Sequence, residues 1–198
     1  MEYTTRTFKL PTAIPGLSAD LIATHLELYA GYVKHVNVLT QQLATLKQSD
    51  VDFAYAIAEL RRRFGFEWNG MRLHEYYFET LEPGPRNLLA TSPLYAALTE
   101  QYGGYTEWLA IFSKLSARGP GWAILTYDAR AKRFFHVWVA DHEVGHLASL
   151  PTLLAVDHWE HAYLPDYKPA DKMTYVHAYL NAINWDTVSE RFDRAQNV

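Results

Sequence analysis

Hydrophobic residues in the front of the chain recur in steps of three and four, the spacing typical of helices. A first run of this kind extends from Leu21 to about Leu46, and Ser18 just before it is a typical helix cap. Two further helical runs follow, and we expect Gly65 to separate them: Asp52–Phe64 and Trp68–Leu81. The pattern therefore predicts that residues 1–84 form a helical hairpin domain.

The segment LEPGPRN, residues 81–87, is the strongest break in the pattern, because proline and glycine interrupt both helices and strands. We place a domain boundary there and expect residues 85–198 to form a second domain of the α/β type. The elements predicted in it are helices at 93–102, 106–117 and 174–192 and strands at 122–127, 134–140 and 153–157. The predicted fold class is α+β, an N-terminal helical hairpin plus a C-terminal α/β domain with a small antiparallel three-stranded sheet.

The composition of the chain narrows the function classes that remain. Its 198 residues are 49% hydrophobic and carry a net charge of −4, which disfavours general binding to nucleic acid or to an anionic membrane. No run approaches about 18 apolar residues and no apolar signal region begins the chain, so we expect a cytoplasmic protein without a membrane span. Cysteine is absent, so any metal site must use the nine histidines together with aspartate and glutamate.

The sharpest concentration of metal-ligand chemistry lies in residues 157–161, with the sequence DHWEH. Asp157 and His161 are four residues apart and can point the same way from a helical turn or from a strand end that enters a helix. A carboxylate with an imidazole suits iron, manganese or zinc. Glu160 is better placed to accept a hydrogen bond from an imidazole N–H and so to orient that ring. The simpler alternative is that Asp157 and His161 are ordinary polar groups at the end of a strand.

His25 and His74 are two further candidates, since each lies on the apolar face of a predicted helix. A single histidine in such a position is usually a hydrogen-bonded core residue. Two of them on facing helices, together with the Asp157–His161 pair, can converge on one ion as in metal-carrying helix bundles.

A rival motif is HEVGH at residues 142–146, which matches the HExxH signature of zinc proteases. In that signature two imidazoles one helical turn apart bind zinc, and the glutamate activates water. The context is poor for a helix, because a β-rich run ends at Ala140, Gly145 weakens the turn and Pro151 limits its length. A zinc hydrolase is therefore kept as a minor alternative.

Taken in order along the chain, these segments resemble the iron/manganese superoxide dismutase family. The resembling segments are FKLP at 8–11, SADLIATH at 18–25, HEYYFETL at 74–81 and the highly specific WEHAY at 159–163. The resemblance implies that one iron or manganese ion per subunit is bound by four ligands: His25, His74, Asp157 and His161. It also implies that superoxide is converted into dioxygen and hydrogen peroxide by ping-pong redox cycling, and that the chain forms a homodimer or a larger oligomer.

The same resemblance assigns roles to residues around that centre. Tyr32 gates access and relays protons, while Trp159 and Phe78 wall the pocket. Glu160 hydrogen-bonds His161 of the partner subunit. These assignments imply a substrate pocket that is closed by aromatic side chains and completed by a second copy of the chain.

Several positions depart from the family pattern. The glutamine that bonds the metal-bound solvent is missing, since Gly70 occupies one of its two positions and Asp141 or His142 falls near the other. Some members of the family carry a histidine there, so His142 is the candidate donor. A family histidine in the first helix is replaced by Tyr29, and its tyrosine partner by Leu164. These changes suggest an alternative: a dismutase-fold metalloprotein with weak dismutase activity and a different oxidative or stress-related role.

The spacing in the first helix also differs, since His25 and Tyr32 are seven residues apart where the family has eight. Seven residues turn an α-helix through about 700°, close to two full turns, whereas eight on one face need a π-bulge. We therefore expect a regular helix with both side chains facing inward. A competing alignment puts Thr24 at the ligand position.

Overall fold

The structure, a computed structural model, describes residues 2–46 and 53–196. In chain order its helices are α1 (Ala19–Thr45), α2 (Ala54–Glu79), α3 (Pro93–Tyr102), α4 (Tyr105–Ser116), α5 (Lys172–Ala182) and α6 (Trp185–Ala195). Its strands are β1 (Trp122–Asp128), β2 (Arg133–Val139) and β3 (Thr152–Asp157), and 3₁₀ turns lie at Glu160–Ala162 and Pro169–Asp171. The predicted α+β class is confirmed, while the domain boundary after residue 84 stays a prediction.

Helices α1 and α2 pack against each other and supply the first half of the site. Ser18 begins α1, because its Oγ accepts a hydrogen bond from the N–H of Leu21 at 3.1 Å. The predicted start of the second helix at Asp52 lies outside the described residues. The predicted break at Gly65 is wrong, since α2 is continuous there. A Cβ at Gly65 would lie 3.1 Å from Oε1 of Glu143, so this glycine serves the close approach of a loop.

The three strands form the predicted antiparallel three-stranded sheet, and the structure gives the strand order β2–β1–β3. The central strand β1 is buried from Trp122 to Tyr127, which explains its continuous run of apolar residues. Strand β3 pairs with β1 so that Asp157 lies opposite Trp122. Because α2 packs against β3, the last residue of this strand lies beside the two N-terminal helices.

The helical character predicted for residues 174–192 is confirmed, but two helices, α5 and α6, occupy this region. Asn184 separates them, and its Oδ1 caps α6 by accepting from the N–H of Asp186 at 3.0 Å. Its Nδ2 donates to the carbonyl oxygen of Glu82 at 2.6 Å, and its backbone N–H donates to the carbonyl oxygen of Thr80 at 2.6 Å. Asn184 therefore ties the C-terminal helices to the end of α2, a long-range contact that local periodicity cannot show.

The hydrophobic core includes side chains from both halves of the chain. Its large buried aromatic residues include Tyr77 of α2, Trp122 of β1 and Tyr175 of α5. These three lie around the end of β3 and keep water away from it. Among the helices described for residues 2–46 and 53–196, none has the length and apolar character needed to cross a membrane.

Candidate metal centre

Four side chains from four elements converge at the end of β3. His25 comes from α1, His74 from α2, Asp157 from the last position of β3, and His161 from the 3₁₀ turn that follows. One possible ligand atom from each lies within 4.8 Å of the others. Oδ2 of Asp157 is 3.1 Å from Nε2 of both His25 and His161. It is 3.6 Å from Nε2 of His74.

Local hydrogen bonds fix the direction of these donors. Nδ1 of His74 donates to the carbonyl oxygen of Gly70, one turn earlier in α2, at 2.6 Å. This tautomer leaves Nε2 of His74 unprotonated and facing Asp157. Oδ1 of Asp157 accepts from the backbone N–H of Trp159 at 2.8 Å, and its carbonyl oxygen accepts from the hydroxyl of Tyr175 at 2.9 Å. Oδ2 of Asp157 is therefore the atom directed at the imidazoles.

Burial controls the protonation states in this group. It lowers the pKa of His25, and it lowers the pKa of His74 well below the ordinary value, so both rings are neutral at pH 7. Burial alone would raise the pKa of Asp157, but the adjacent His161 and His25 hold it well below its usual range. A charged carboxylate thus faces neutral imidazoles, and these are the forms in which both groups bind metal ions.

The donors fit an iron or manganese ion. A fully buried carboxylate such as Asp157 requires a compensating positive charge. Within the described chain, the buried Nε2 of His74 has no hydrogen-bond partner, so its lone pair is available to an ion. Three imidazoles and one carboxylate are a ligand set that iron, manganese or zinc accepts. One ion held by all four residues would satisfy both the charge and the lone pair.

The HEVGH segment does not form a second metal site. It lies in the loop between β2 and β3, where His142 has a left-handed backbone conformation with φ of +57°. His142 is buried, whereas His146 is exposed and its Nε2 donates to the carbonyl oxygen of His142 at 2.9 Å. Across residues 2–46 and 53–196, the four-residue centre is the only grouping of histidine and carboxylate side chains arranged around one ion position. The zinc hydrolase alternative is therefore wrong.

His142 instead connects Trp122 to Tyr32. The indole N–H of Trp122 donates to Nδ1 of His142 at 2.8 Å, so the proton of the neutral ring lies on Nε2. Nε2–H then donates to the hydroxyl oxygen of Tyr32 at 2.9 Å. Burial lowers the pKa of His142 to about 4 and raises the pKa of Tyr32, so both groups are neutral at pH 7. The hydroxyl proton of Tyr32 remains available to a molecule in the site.

Gly70 makes room for the ring of Tyr32. A Cβ at position 70 would lie 2.6 Å from Cδ1 of Tyr32, so any larger residue there displaces that ring. The space that a side chain at position 70 of α2 would occupy is therefore filled by the ring of Tyr32 from α1.

Helix α1 is a continuous α-helix through the two positions whose spacing departs from the family. Both His25 and Tyr32 face the site, as the seven-residue spacing predicts, whereas Thr24 is exposed. The alignment that places Thr24 at the ligand position is therefore wrong.

Two of the remaining predicted residues contact the centre. The ring centroid of Phe78 lies 5.1 Å from that of His25. The ring of Trp159 stacks on that of His161 with centroids 6.5 Å apart, and it lies 5.5 Å from the ring of His142. Phe78 therefore contacts the ligand from α1, and Trp159 contacts the ligand in the 3₁₀ turn.

Two other predicted residues do not reach the centre within one chain. Asp141 is exposed, and no hydrogen bond of its carboxylate is found in the described residues, so its assignment to the site stays a prediction. Its left-handed backbone, with φ of +49°, belongs to the turn that directs His142 inward. Glu160 is also exposed and does not accept a hydrogen bond from His161 of the same chain.

The sequence analysis assigned no role to three aromatic residues that contact the ligands: Tyr77, Trp122 and Tyr175. The ring of Tyr77 lies 4.7 Å from that of His25, and the ring of Trp122 lies 5.1 Å from that of His74. Tyr77 follows His74 by three residues, and this spacing already indicates a shared helix face. Trp122 and Tyr175 come from elements distant in sequence, and no local pattern indicates them.

Comparison with known proteins relates the chain to one family. Residues 90–191 match the family described as iron/manganese superoxide dismutases, C-terminal domain. The chain is 30% identical to the Fe superoxide dismutase of Sulfolobus acidocaldarius over 99% of this chain and 95% of the relative. It is 34% identical to the Fe superoxide dismutase of Cupriavidus metallidurans, with 93% of each chain covered. It is 28% identical to Mn superoxide dismutase 1 of Halobacterium salinarum, over 91% of this chain and 89% of the relative.

Metal content should distinguish the four-residue centre from the HEVGH segment. We expect His161→Ala to lose the bound ion, because it deletes one of four ligands, and His146→Ala to retain it. Elemental analysis of protein expressed with iron or manganese measures ions per subunit. Each variant removes one imidazole, so a difference in metal content between them depends on where that imidazole lies in the structure. Retention in His161→Ala together with loss in His146→Ala would contradict the assignment.

Replacing Gly70 with alanine should destabilise the protein by roughly 1–3 kcal/mol, because the added methyl group displaces the ring of Tyr32 from His142. Gly31→Ala is the matched control, since a Cβ at Gly31 of α1 meets nothing within 4 Å. That change should stabilise the protein by roughly 0.5–1 kcal/mol through the higher helix propensity of alanine. Urea unfolding measures both. Equal stabilisation by the two changes would show that Tyr32 does not occupy this space.

Proposed function

Because the chain belongs to the iron/manganese superoxide dismutase family, we propose that its four-residue centre dismutates superoxide with one iron or manganese ion per subunit. In this reaction one superoxide is oxidised to dioxygen, and a second takes up the electron and two protons to give hydrogen peroxide. The observation that carries the proposal is the convergence of His25, His74, Asp157 and His161 on one point.

A bound iron or manganese ion would supply a reversible one-electron redox couple. Asp157 supplies the negative charge that holds a cation, and the buried imidazoles of His25 and His74 are neutral donors. The hydrogen bond from His74 to Gly70 keeps one donor nitrogen in its unprotonated form. Phe78 and Tyr77 pack against His25, and the side chains of His25, His74 and Asp157 are screened from bulk water.

Tyr32 and His142 hold protons that the peroxide-forming step requires. His142 donates to the hydroxyl oxygen of Tyr32, which leaves the hydroxyl proton of Tyr32 directed elsewhere. The pKa of Tyr32 is raised by burial and further by the charge of Asp157, so the hydroxyl keeps its proton at neutral pH. The pair therefore presents a neutral hydrogen-bond donor to the site, and His142, the donor predicted in place of the missing glutamine, acts through Tyr32.

Dismutation is favoured over a different redox role with weak dismutase activity. The substitutions that suggested the alternative are accommodated by new internal contacts. Tyr29 is buried, and its hydroxyl donates to Oε1 of Glu75 at 3.0 Å and accepts from the backbone N–H of Arg6 at 3.1 Å. Gly70 admits the ring of Tyr32, and this ring binds His142. The hydrogen-bond network is therefore rebuilt around the centre.

The working form that we propose is a homodimer. Glu160 is exposed next to His161, whose side chain is 22% exposed, and Leu164 beside them leaves apolar surface uncovered. A carboxylate in this position can accept a hydrogen bond from the outer nitrogen of His161 of the partner subunit and so orient the ring. A cytoplasmic location stays a prediction.

Protein loaded with iron or manganese should dismutate superoxide, and Tyr32→Phe and His142→Ala should slow the reaction by roughly tenfold or more, because each removes a proton donor. Superoxide decay after pulse radiolysis gives the rate. Metal content is measured in parallel, and His146→Ala, which removes an exposed imidazole, should keep the full rate. The proposal would be wrong if the unmodified protein had near-zero activity both when fully loaded with iron and when fully loaded with manganese.

Glu160→Ala should weaken the dimer, because it removes the proposed hydrogen bond between subunits. Sedimentation velocity over a range of protein concentrations measures the dissociation constant. Glu100→Ala removes an exposed carboxylate of α3 and should leave dimerisation unchanged. An unmodified protein that sediments as a monomer at every concentration, or equal behaviour of the two variants, would contradict this arrangement.

A further inference from the structure

A second concave site, separate from the metal centre, lies where residue 6, helix α2, the start of β3 and helix α6 meet. Its cavity has a volume of about 410 Å³, and it shares no lining residue with the metal centre. Four of the chain's eleven arginines line it: Arg6, Arg72, Arg191 and Arg194. The planar guanidinium donates two parallel hydrogen bonds, which makes arginine well suited to phosphate and carboxylate. The lining therefore has the chemistry of an anion site.

The charges around this cavity do not cancel. Glu79 is shared between Arg6 and Arg191, and Glu75 pairs with Arg72 at 2.6 Å. Four guanidinium groups and two carboxylates leave a net charge of +2 in a protein whose own net charge is −4. The surplus is thus concentrated in one concavity, and a concave surface with surplus charge of one sign attracts ions of the opposite sign.

Arg194 is the group available to a ligand. In the part of the chain that the structure describes, its guanidinium forms no ion pair. Arg191, by contrast, is only 6% exposed and already donates to the carbonyl oxygens of Leu153 at 2.9 Å and Tyr76 at 3.3 Å. Burial lowers the pKa of Arg191 to about 10, and the positive charges of Arg194 and Arg6 act in the same direction. A nearby anion would relieve this repulsion.

We propose that the cavity binds a small dianion, carrying a phosphate group or two carboxylates, between Arg194 and the guanidinium groups of Arg6 and Arg72. Two negative charges match the local surplus, and Thr152 at the rim offers a further hydroxyl donor. The cavity is larger than an inorganic phosphate ion, and Tyr76 and Pro151 provide a wall for a short organic group. The ligand class is therefore a small phosphorylated or dicarboxylate compound.

Binding there stabilises the folded protein, because the segments that line the cavity are far apart in the unfolded chain. Glu75 forms part of the wall, follows the ligand residue His74 directly in sequence and accepts a hydrogen bond from Tyr29 at 3.0 Å. The wall is thus continuous with the two helices that hold the metal centre. The inference does not depend on dismutase activity, since it concerns affinity and stability alone.

Calorimetric titration of the metal-loaded protein with inorganic phosphate, glycerol phosphate and succinate tests the proposal. Sodium chloride at equal ionic strength serves as the reference. We expect at least one dianion to bind with a defined stoichiometry and to raise the thermal unfolding midpoint to a plateau, whereas chloride does neither. If only the two phosphate compounds bind, the cavity is a phosphate site. If only succinate binds, it is a dicarboxylate site. Binding by none of the three would overturn the proposal.

Arg194→Ala and Arg118→Ala locate the binding. Arg194 has no ion pair among the described residues, so its replacement leaves the Glu79 and Glu75 pairs intact and should not disturb folding. We expect Arg194→Ala to weaken the dianion about tenfold or more and Arg194→Lys to restore part of the affinity. Arg118→Ala removes an exposed arginine after α4 and should bind like the unmodified protein. Equal affinity in Arg194→Ala and Arg118→Ala would show that the anion binds elsewhere.

Discussion

The rest of the structure depends on a charged carboxylate that has no contact with solvent. Asp157 ends the sheet at the point where two helices and a 3₁₀ turn meet it. Removing such a group from water costs several kcal/mol unless its lone pairs are satisfied. Each oxygen of this carboxylate has its own partners: Oδ1 accepts from the backbone of Trp159, and Oδ2 faces the imidazoles. The position of α1 relative to β3 is therefore set by chemistry as well as by apolar packing.

The departures from the family pattern form one coordinated change. Gly70 lacks the side chain that the family pattern has at this position, and the ring of Tyr32 occupies the space that this side chain would fill. The seven-residue spacing in α1 places that ring on the inner face without a bulge. His142 then bonds the tyrosine from a left-handed backbone position, a conformation that costs of order 1–3 kcal/mol and persists because Trp122 and Tyr32 both hold the ring. The three changes compensate one another.

The HEVGH loop shows why spacing alone does not establish a metal site. Two histidines four residues apart share a direction in a regular helix, but here the segment is a turn. Its first histidine faces inward and its second faces solvent. The Asp157–His161 pair has the same four-residue spacing, yet it begins at a strand end and enters a 3₁₀ turn, so both side chains face one point. The backbone between the residues decides the outcome.

The sequence alone determined most of the helices and the three strand segments, because periodicity is a local property. The resemblance to the family, and not periodicity, implied the set of four ligand residues. Prediction from periodicity failed where a distant contact overrides a local preference, as at Gly65, where a loop packs closely, and at Asn184, which ties two helices to the end of α2. The contacts of Trp122 and Tyr175 with the centre, the bond between Tyr32 and His142, and the arginine-lined cavity were decided only by tertiary structure. Each joins segments separated by tens of residues, and no pattern within one segment records which other segment will lie beside it.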